Sequence, residues 1–312
     1  MEPLDLSQIK TTSLRCQGRK VKVDAFARPF CNGGSFGEFF QSLPRILASS
    51  ELKDAVNGFV EAHRENKMTI LAMGAHPIKV GLSPIIIQLL EKGIIRAVAM
   101  NGAGIIHDLE IAMVGQTSED VEMELDSGTF GMVEETSQVI NTAIVEGVDC
   151  ELGIGQSVAK KILQDNYPFA NMSILATAER LGVPVTVHVA IGTDINHMHP
   201  TADGAAIGKG THRDFRTFAR VVSQLEGGVY LNLGSAVVLP EVFLKALTVA
   251  RNLGHRVEHF LAINMDFIRH YRPTVNVVER PTRMGGRGIT LIGHHEIMLP
   301  LLAAAILEGI QS

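Results

Sequence analysis

The chain has 312 residues, of which 46% are hydrophobic and 20% are charged, and its formal net charge is −5. This balance argues against intrinsic disorder, which needs low hydrophobicity and high net charge, and against a general nucleic-acid binder, which carries a basic excess. The chain contains no tryptophan, three tyrosines and 30 glycines. Aliphatic side chains must therefore fill its core, and glycines are available for tight strand-to-helix turns.

The two ends of the chain carry no predicted membrane or export signal. The first residues lack the basic and apolar segments of a secretory signal. The apolar run at residues 297–307 is interrupted by Pro300 and is shorter than the roughly 20 residues of a membrane span. The three cysteines are odd in number and widely spaced, which favours reduced thiols. We therefore expect a cytoplasmic protein with no membrane or nucleic-acid partner.

Residues 1–66 differ in character from the rest and are predicted to form an N-terminal strand and helical extension packed on the core. A basic, strand-like stretch at residues 19–23 precedes a glycine turn, and two helical segments follow at residues 36–48 and 51–66. Residues 67–312 are predicted to form a Rossmann-like α/β domain, and the two parts are expected to make one structural unit.

From residue 67 onward, short apolar runs alternate with amphipathic helices. Strands are predicted at residues 68–73, 96–100, 183–190, 228–233, 257–264 and 288–292. Helices are predicted to start at Ser83-Pro84, where Ser is the N-cap, and to cover residues 212–225, 240–252 and 296–307. Strands separated by helices imply right-handed crossovers and a mostly parallel sheet that is covered on both faces. The predicted fold class is α/β, doubly wound and Rossmann-like.

In such a sheet, ligands bind beyond the carboxyl ends of the strands. Four predicted strand ends carry small or polar residues, and we expect a cofactor to bind there. The candidate cofactor-binding residues are Gly74, His76, Asn101, Gly102, Ala103, Gly104, Asp108, Gly234, Ser235, Asn264 and Asp266.

Two of these candidate groups have a second interpretation. Gly102 and Gly104 open a helix whose free N–H groups can bind a phosphate. The full G-x-G-x-x-G pattern is absent because position 107 is His, so a tight structural turn explains the glycines as well. Asp266 is either a carboxylate that binds ribose hydroxyls or a turn and cap residue.

The histidine-rich loop after the third predicted strand is a candidate for catalysis. In extended backbone, His197 and His199 would point the same way, and Asp194 or Asp203 would complete a zinc or iron site. The alternative is a polar loop whose imidazoles bind backbone groups or a phosphate. Because histidine suits acid–base chemistry near neutral pH, His107, His197, His199 and Asp194 are the candidate catalytic residues.

Three further segments are predicted to form a lid, a helix start and a part of the core. Residues 202–211 are predicted to form a flexible lid, with Lys209 reaching toward an anion. Glu296, beside His295, is interpreted as a residue that favours the positive end of a helix dipole. His188 lies within a predicted strand and is interpreted as a hydrogen-bonded core histidine.

Several of these segments resemble the deoxyhypusine synthase family, over residues 70–307. Residues 97–108 resemble the family's strand, Thr-Thr-Ala-Gly-Gly turn and Glu-Glu-Asp helix start, and residues 74–81 resemble its Gly-x-x-Ser-Asn loop. Residues 233–238 resemble its Leu-Gly-Gly-Gly-Val-Val turn. Asn264 stands near its Asn-Thr-Ala strand end, Arg272-Pro273 matches an Arg-Pro, and residues 297–302 are similar to its Pro-Leu-Leu helix.

The resemblance implies a homotetrameric Rossmann-like enzyme that holds NAD between subunits. In the family, NAD oxidises spermidine, and an active-site lysine of a Trp-Gly-Lys segment carries the aminobutyl group as an imine. The matching residues 279–284 contain no lysine, and the chain has no Trp. Arginine cannot replace that lysine, because its guanidinium does not deprotonate to form a Schiff base.

The resemblance therefore predicts an NAD-binding enzyme that acts on a small polar or amine substrate without being a true deoxyhypusine synthase. Two alternatives stay open from the residues. One is a metal-dependent hydrolase or lyase that uses the loop of Asp194, His197 and His199. The other is a catalytically inactive relative that binds a ligand.

Overall fold

The structure is a computed structural model that describes residues 1–311. It divides into two compact units, one of residues 1–50 and one that begins at Glu51. The predicted domain boundary at residue 66 stays a prediction. Among the described residues, no helix is both long and apolar enough to cross a membrane.

The first unit contains short helical segments and no strand. Residues 19–23, predicted as a strand, lack one because no second strand of this unit lies beside them to complete a ladder; a 3-10 turn, Val23–Ala25, begins there instead. Helix α1 (Phe36–Ser42) begins at a capping box in which Ser35 Oγ accepts the Glu38 N–H and the Glu38 carboxylate accepts the Ser35 N–H. This pattern is a recognised helix start.

The second unit is built on a six-stranded sheet. Its strands are β1 (Thr69–Met73), β2 (Ala97–Asn101), β3 (Val185–His188), β4 (Val229–Leu233), β5 (Leu261–Asp266) and β6 (Arg287–Ile292). All neighbouring strands are parallel, and their order is β3-β2-β1-β4-β5-β6. The predicted doubly wound α/β class is confirmed. The order reverses between β1 and β4, which makes that gap the topological switch point of the sheet.

Helices precede the sheet, connect its strands and follow the last strand. They are α2 (Leu47–Arg64), α3 (His76–Lys79), α4 (Ser83–Glu91), α5 (Gly102–Val114), α6 (Val121–Ser127), α7 (Glu134–Asp149), α8 (Ile154–Gln164), α9 (Ile174–Leu181), α10 (Gly204–Val222), α11 (Val238–Asn252), α12 (Tyr271–Pro273) and α13 (His295–Gln311). A π-helical turn, Thr274–Glu279, follows α12. On one face of the sheet, Tyr230 of β4 stacks on Phe243 of α11 with ring centroids 3.7 Å apart, inside an otherwise mostly aliphatic core.

The segment predicted as a flexible lid is regular helix. Residues 204–211 form the first two turns of α10, which begins at its N-cap Asp203. The Asp203 carboxylate accepts the N–H groups of Ala205 and Ala206. Gly210 is buried, and a Cβ there would lie 2.9 Å from Ile154. The lid prediction was wrong because the segment is capped by Asp203 as a regular helix and Gly210 serves close packing.

Two buried carboxylates fix the helices that surround β3. Asp108 of α5 accepts the N–H groups of Ile174 and Leu175 at the start of α9. Asp214 of α10 accepts the N–H groups of Gly155 in α8 and Val187 in β3. Burial raises the pKa of Asp108 to about 6 and that of Asp214 to about 7. Asp108 is therefore committed to the fold, and we withdraw it as a cofactor-binding residue.

His188 is a core histidine, as predicted. Its Nε2 lies 3.0 Å from Thr186 Oγ1, and its ring packs edge-on against Phe218. Burial lowers the pKa of His188 to about 3, so the ring is neutral in the folded protein at physiological pH.

Candidate functional site

At the switch point, the loops after β1 and β4 meet through the backbone of two glycines. The Gly74 N–H donates to Leu233 O and the Gly234 N–H donates to Met265 O, each over 3.1 Å. A Cβ on Gly74 would lie 2.6 Å from Gly234 O, so the loops after β1 and β4 meet only because both residues are glycine. Gly234 also has φ +66°, in the left-handed region that favours glycine. Both predicted residues therefore lie together at the switch point.

A fully buried histidine lies against Gly234. A Cβ on Gly234 would come within 2.6 Å of His295 Cε1, and His295 is 0% exposed. Neither ring nitrogen of His295 makes a hydrogen bond of good geometry, although the Met265 backbone lies near enough to favour the protonated ring. Burial lowers the pKa of His295, and the neighbouring Asp266 carboxylate opposes that shift. The imidazole at the switch point is consequently neutral and unpaired at pH 7.

Asp266, the last residue of β5, lies between two imidazoles. Its Oδ1 is 3.7 Å from His295 Nε2 and its Oδ2 is 3.8 Å from His270 Nε2. Its Oδ1 also accepts the Phe267 N–H over 2.8 Å. The exposed His76 lies with its ring centroid 5.3 Å from that of His295. We call these five residues the switch-point cluster: His76, Asp266, Phe267, His270 and His295.

Behind this cluster, polar side chains from three neighbouring strands lie side by side. Asn232 of β4 pairs in register with Asn264 of β5, which pairs with Thr290 of β6. Asn232 Nδ2 donates to Asn264 Oδ1 over 2.7 Å. The candidate Asn264 is 0% exposed and so lies in the core. Ser235 Oγ accepts the Leu239 N–H near the start of α11.

Unpaired buried polar atoms are uncommon in folded proteins, and here they concentrate near the strand ends. Among the described residues, twelve buried side-chain N and O atoms have no partner. Seven of these belong to residues at or near the carboxyl edge of the sheet: Asp194, His197, Asn232, Asn264, Thr290 and, with two atoms, His295. Each such atom costs about 1–3 kcal/mol when it stays unpaired. This edge therefore has the chemistry of a binding site.

A second polar group surrounds a cavity of about 180 Å³ that includes residues following β2 and β3. Its lining contains Lys79, His107, Glu110 and Asp194. His107 Nδ1 lies 2.6 Å from Thr117 Oγ1, and the Thr117 hydroxyl donates to Glu110. Burial raises the pKa of Glu110, but the hydrogen bonds from His107 and Thr117 outweigh it and the pKa is lowered. Two candidate catalytic residues, His107 and Asp194, thus share one cavity.

The start of α5 is occupied by a carboxylate of the protein itself. A Cβ on Gly102 would lie 2.0 Å from Asp194 Oδ2, and Asn101 Oδ1 accepts the Gly104 N–H over 3.2 Å. Burial raises the pKa of Asp194, while His197 and the Ala103 N–H oppose that shift.

The glycines at this helix start have structural roles. Gly102 admits Asp194, and a Cβ on Gly104 would lie 2.9 Å from Met100 Sδ. The prediction that Asn101, Gly102, Ala103 and Gly104 bind a phosphate is therefore corrected. A protein carboxylate and an Asn cap occupy the place predicted for a phosphate.

The histidine-rich loop is not extended. His197 ends a 3-10 turn, Ile195–His197, and its Nδ1 accepts the N–H groups of Gly192 and Asp194. His199 Nδ1 lies 2.7 Å from Thr201 Oγ1. The prediction that His197 and His199 point the same way is wrong, because His197 lies in a 3-10 turn and not in extended backbone. The Nδ1 atom of each ring contacts local backbone or hydroxyl groups. Within residues 1–311, no group of three or more His, Cys, Asp or Glu has an arrangement that could hold a metal ion.

His295 and His270 were not predicted as site residues. His295 follows β6 by three residues, and His270 follows β5 by four. The signal that points to His295 is its place after the sixth predicted strand, because ligands bind at the carboxyl ends of strands.

No protein-family model and no curated protein matches the sequence. Solved structures match the fold at low identity. The ternary complex of AgrE with ornithine and NAD+ is 15% identical, with a TM-score of 0.56, and the match covers 85% of this chain and 34% of that chain. A candidate LOR/SDH protein from Methanococcus maripaludis S2 is 14% identical, with a TM-score of 0.51, and the match covers 89% and 71% of the two chains.

A candidate deoxyhypusine synthase from Entamoeba histolytica is 13% identical, with a TM-score of 0.52, and the match covers 90% of this chain and 96% of that chain. The chain spans about a third of AgrE and of a cyanobacterial arginine dihydrolase, ArgZ, whose match covers 34% of its length. At these identities the likeness shows a shared fold alone.

Proposed function

We propose that this protein binds NAD at the carboxyl edge of the sheet and acts on a small polar or amine substrate in the adjoining cavity. The observation that carries the proposal is the switch point itself. There, the bare backbone of Gly74 and Gly234 lies directly beside the buried, unpaired ring of His295. Fold neighbours that include an NAD+ complex support the choice of cofactor.

The residues at this edge fit a dinucleotide in three respects. The short loops after β1 and β4 place backbone at the carboxyl edge of the sheet, where α/β folds bind dinucleotides. The exposed His76 supplies a polar contact at the end of β1. Phe267 is 44% exposed and offers a flat ring to an aromatic ligand. When bound, NAD would supply the hydride-accepting chemistry, which no amino-acid side chain provides.

The chain's own residues bind and orient the substrate. The cavity of about 180 Å³ is smaller than the roughly 300 Å³ of sites for drug-sized ligands, so it suits a small molecule. Glu110 and Thr117 hold the His107 ring in place, and His107 is suited to move a proton at a substrate hydroxyl or amino group. Lys79 and Asp194 line the same cavity and offer one charge of each sign.

Titration with NADH, followed by its fluorescence and by calorimetry, tests the proposal. We expect saturable binding to the wild type and at least about tenfold weaker binding to Gly234→Ala, equivalent to about 1.4 kcal/mol, because the added Cβ displaces His295. Gly254→Ala is the matched control: Gly254 has φ +84° but open space around it, so that variant should bind as the wild type does. Absence of saturable binding of either NAD+ or NADH to the wild type would refute the proposal.

Assembly and location follow only from the resemblance and the composition. We propose a homotetramer and a cytoplasmic location. Light scattering on the purified protein tests the first; a monomeric mass at micromolar concentration would contradict it.

A further inference from the structure

The switch-point cluster forms a line from the surface to the core. His76 is exposed, its ring centroid lies 5.3 Å from that of His295, and His295 Nε2 lies 3.7 Å from Asp266 Oδ1. We propose that His76, His295 and Asp266 form a proton relay that serves a ligand with an O–H or N–H group, the substrate, bound next to NAD. This inference rests on the proposed function for the nature of that ligand.

A comparison within the protein separates His295 from a structural histidine. The buried His188 has a hydroxyl partner for its Nε2 and packs against Phe218. His295 is equally buried, yet neither ring nitrogen makes a hydrogen bond of good geometry, and its polar backbone neighbour is Met265. A purely structural role would favour an apolar residue of similar size at this position, since an unpaired buried polar group costs free energy. Proton exchange requires such an available ring nitrogen.

The charges around His295 suit a group that accepts a proton and returns it. Asp266 faces it from β5, His76 faces it from α3, and Glu296 and His294 adjoin it in its own segment. Burial lowers the pKa of His295 and keeps the ring neutral. Asp266 then stabilises the imidazolium once a proton arrives.

The proton balance of the relay is simple. A proton leaves an O–H or N–H group of the ligand for a ring nitrogen of His76, and His76 passes a proton to His295. The ligand has then lost one proton and His295 has become an imidazolium, whose positive charge the Asp266 carboxylate balances. The separation of 3.7 Å between His295 Nε2 and Asp266 Oδ1 closes to a hydrogen bond by a small movement of the ring. The reverse path returns the proton.

Histidine side-chain NMR of the full-length protein, labelled with 15N, tests the relay without any assay of activity. His295→Gln assigns the His295 signal. In Asp266→Asn we expect the pKa of His295 to fall by about 1 unit, because an opposite charge at this range shifts a pKa by about 1–3 units. In His76→Gln, which alters an exposed residue, we expect the pKa of His295 to rise, because the charge on His76 opposes protonation of His295.

His255→Gln is the control, because His255 is exposed and precedes β5 at the opposite edge of the sheet. It should leave the His295 signal unchanged. A pKa of His295 that stays within about 0.2 units in both Asp266→Asn and His76→Gln overturns the relay.

The dependence of NADH affinity on pH supplies a second readout. We expect His295→Gln to remove a pH dependence that the wild type shows, and an identical dependence in both proteins overturns the relay. Failure of the wild type to bind NADH at all, with the NMR couplings intact, would instead contradict the proposed cofactor.

Discussion

At the start of α5, one glycine decides where a carboxylate lies. Gly102 and Gly204 are each the first residue of a helix and follow an Asn or Asp cap. A Cβ on Gly102 would overlap Asp194 Oδ2 at 2.0 Å, whereas a Cβ on Gly204 meets nothing within 4 Å. The two positions therefore form a matched pair for testing why Gly102 is glycine.

We expect Gly102→Ala to lower the free energy of unfolding by about 1–3 kcal/mol, because it overpacks a buried carboxylate. Gly204→Ala should leave stability unchanged or raise it by up to about 1 kcal/mol, since alanine favours helix over glycine. Urea unfolding measures both values. Equal effects of the two substitutions would show that Asp194 does not depend on the glycine.

Single residues also show what a sequence can and cannot predict. Gly74 and Gly234 were predicted because glycine after an apolar strand has a recognisable local pattern. Asp108 was assigned to a cofactor, since its commitment to the start of α9 depends on residues 65 to 67 positions away. His295 was interpreted with its neighbour Glu296 as part of a helix start, and it is the first residue of α13. Its burial against Gly234 and Asp266 leaves no trace in the local sequence.

Among whole elements, the strands were the most predictable. All six apolar runs became strands of one parallel sheet, because strands buried on both faces must be apolar throughout. The helix start at Asp203 was missed: three glycines within residues 204–210 suggested a loop. Gly210 is glycine because α10 packs closely on Ile154, and that contact is tertiary.

The packing of α10 against α8 and β3 makes stability depend on pH through Asp214. Its pKa of about 7 exceeds the ordinary value of 3.8, so between these values the folded state holds a proton that the unfolded state has released. The contribution of Asp214 to the free energy of unfolding therefore falls as pH rises through this window, by about 2 kcal/mol between pH 5 and pH 7.

Asp214→Asn removes this contribution. The change in unfolding free energy from pH 5 to pH 7 is the quantity to compare. We expect this change to be about 2 kcal/mol more positive in the variant than in the wild type. His188, with a pKa of about 3, gives the unfolding free energy a pH dependence of opposite sign. It is present in both proteins, so its contribution cancels in the comparison. Asp203→Asn, at an exposed helix cap, serves as the control. Identical pH slopes in Asp214→Asn and the wild type would contradict the assignment.

Across the whole molecule, the alternation of strands and helices predicted the class of fold but not the order of the strands. Strand order depends on which side each crossover takes, and no local pattern encodes that choice. The switch point between β1 and β4 therefore became visible only in the structure. Of the four predicted strand ends, it singles out those of β1 and β4, with Gly74 and Gly234, and adds His295 to them.

Hydrogen exchange with and without saturating NADH is the most direct test that the switch point is the binding site. We expect slower backbone exchange in the loops after β1, β4 and β6, at residues 74–81, 234–238 and 293–297. The loop at residues 254–260, which precedes β5 at the opposite edge, should exchange at the same rate in both states. Protection confined to that opposite edge, or no protection anywhere, would contradict the account.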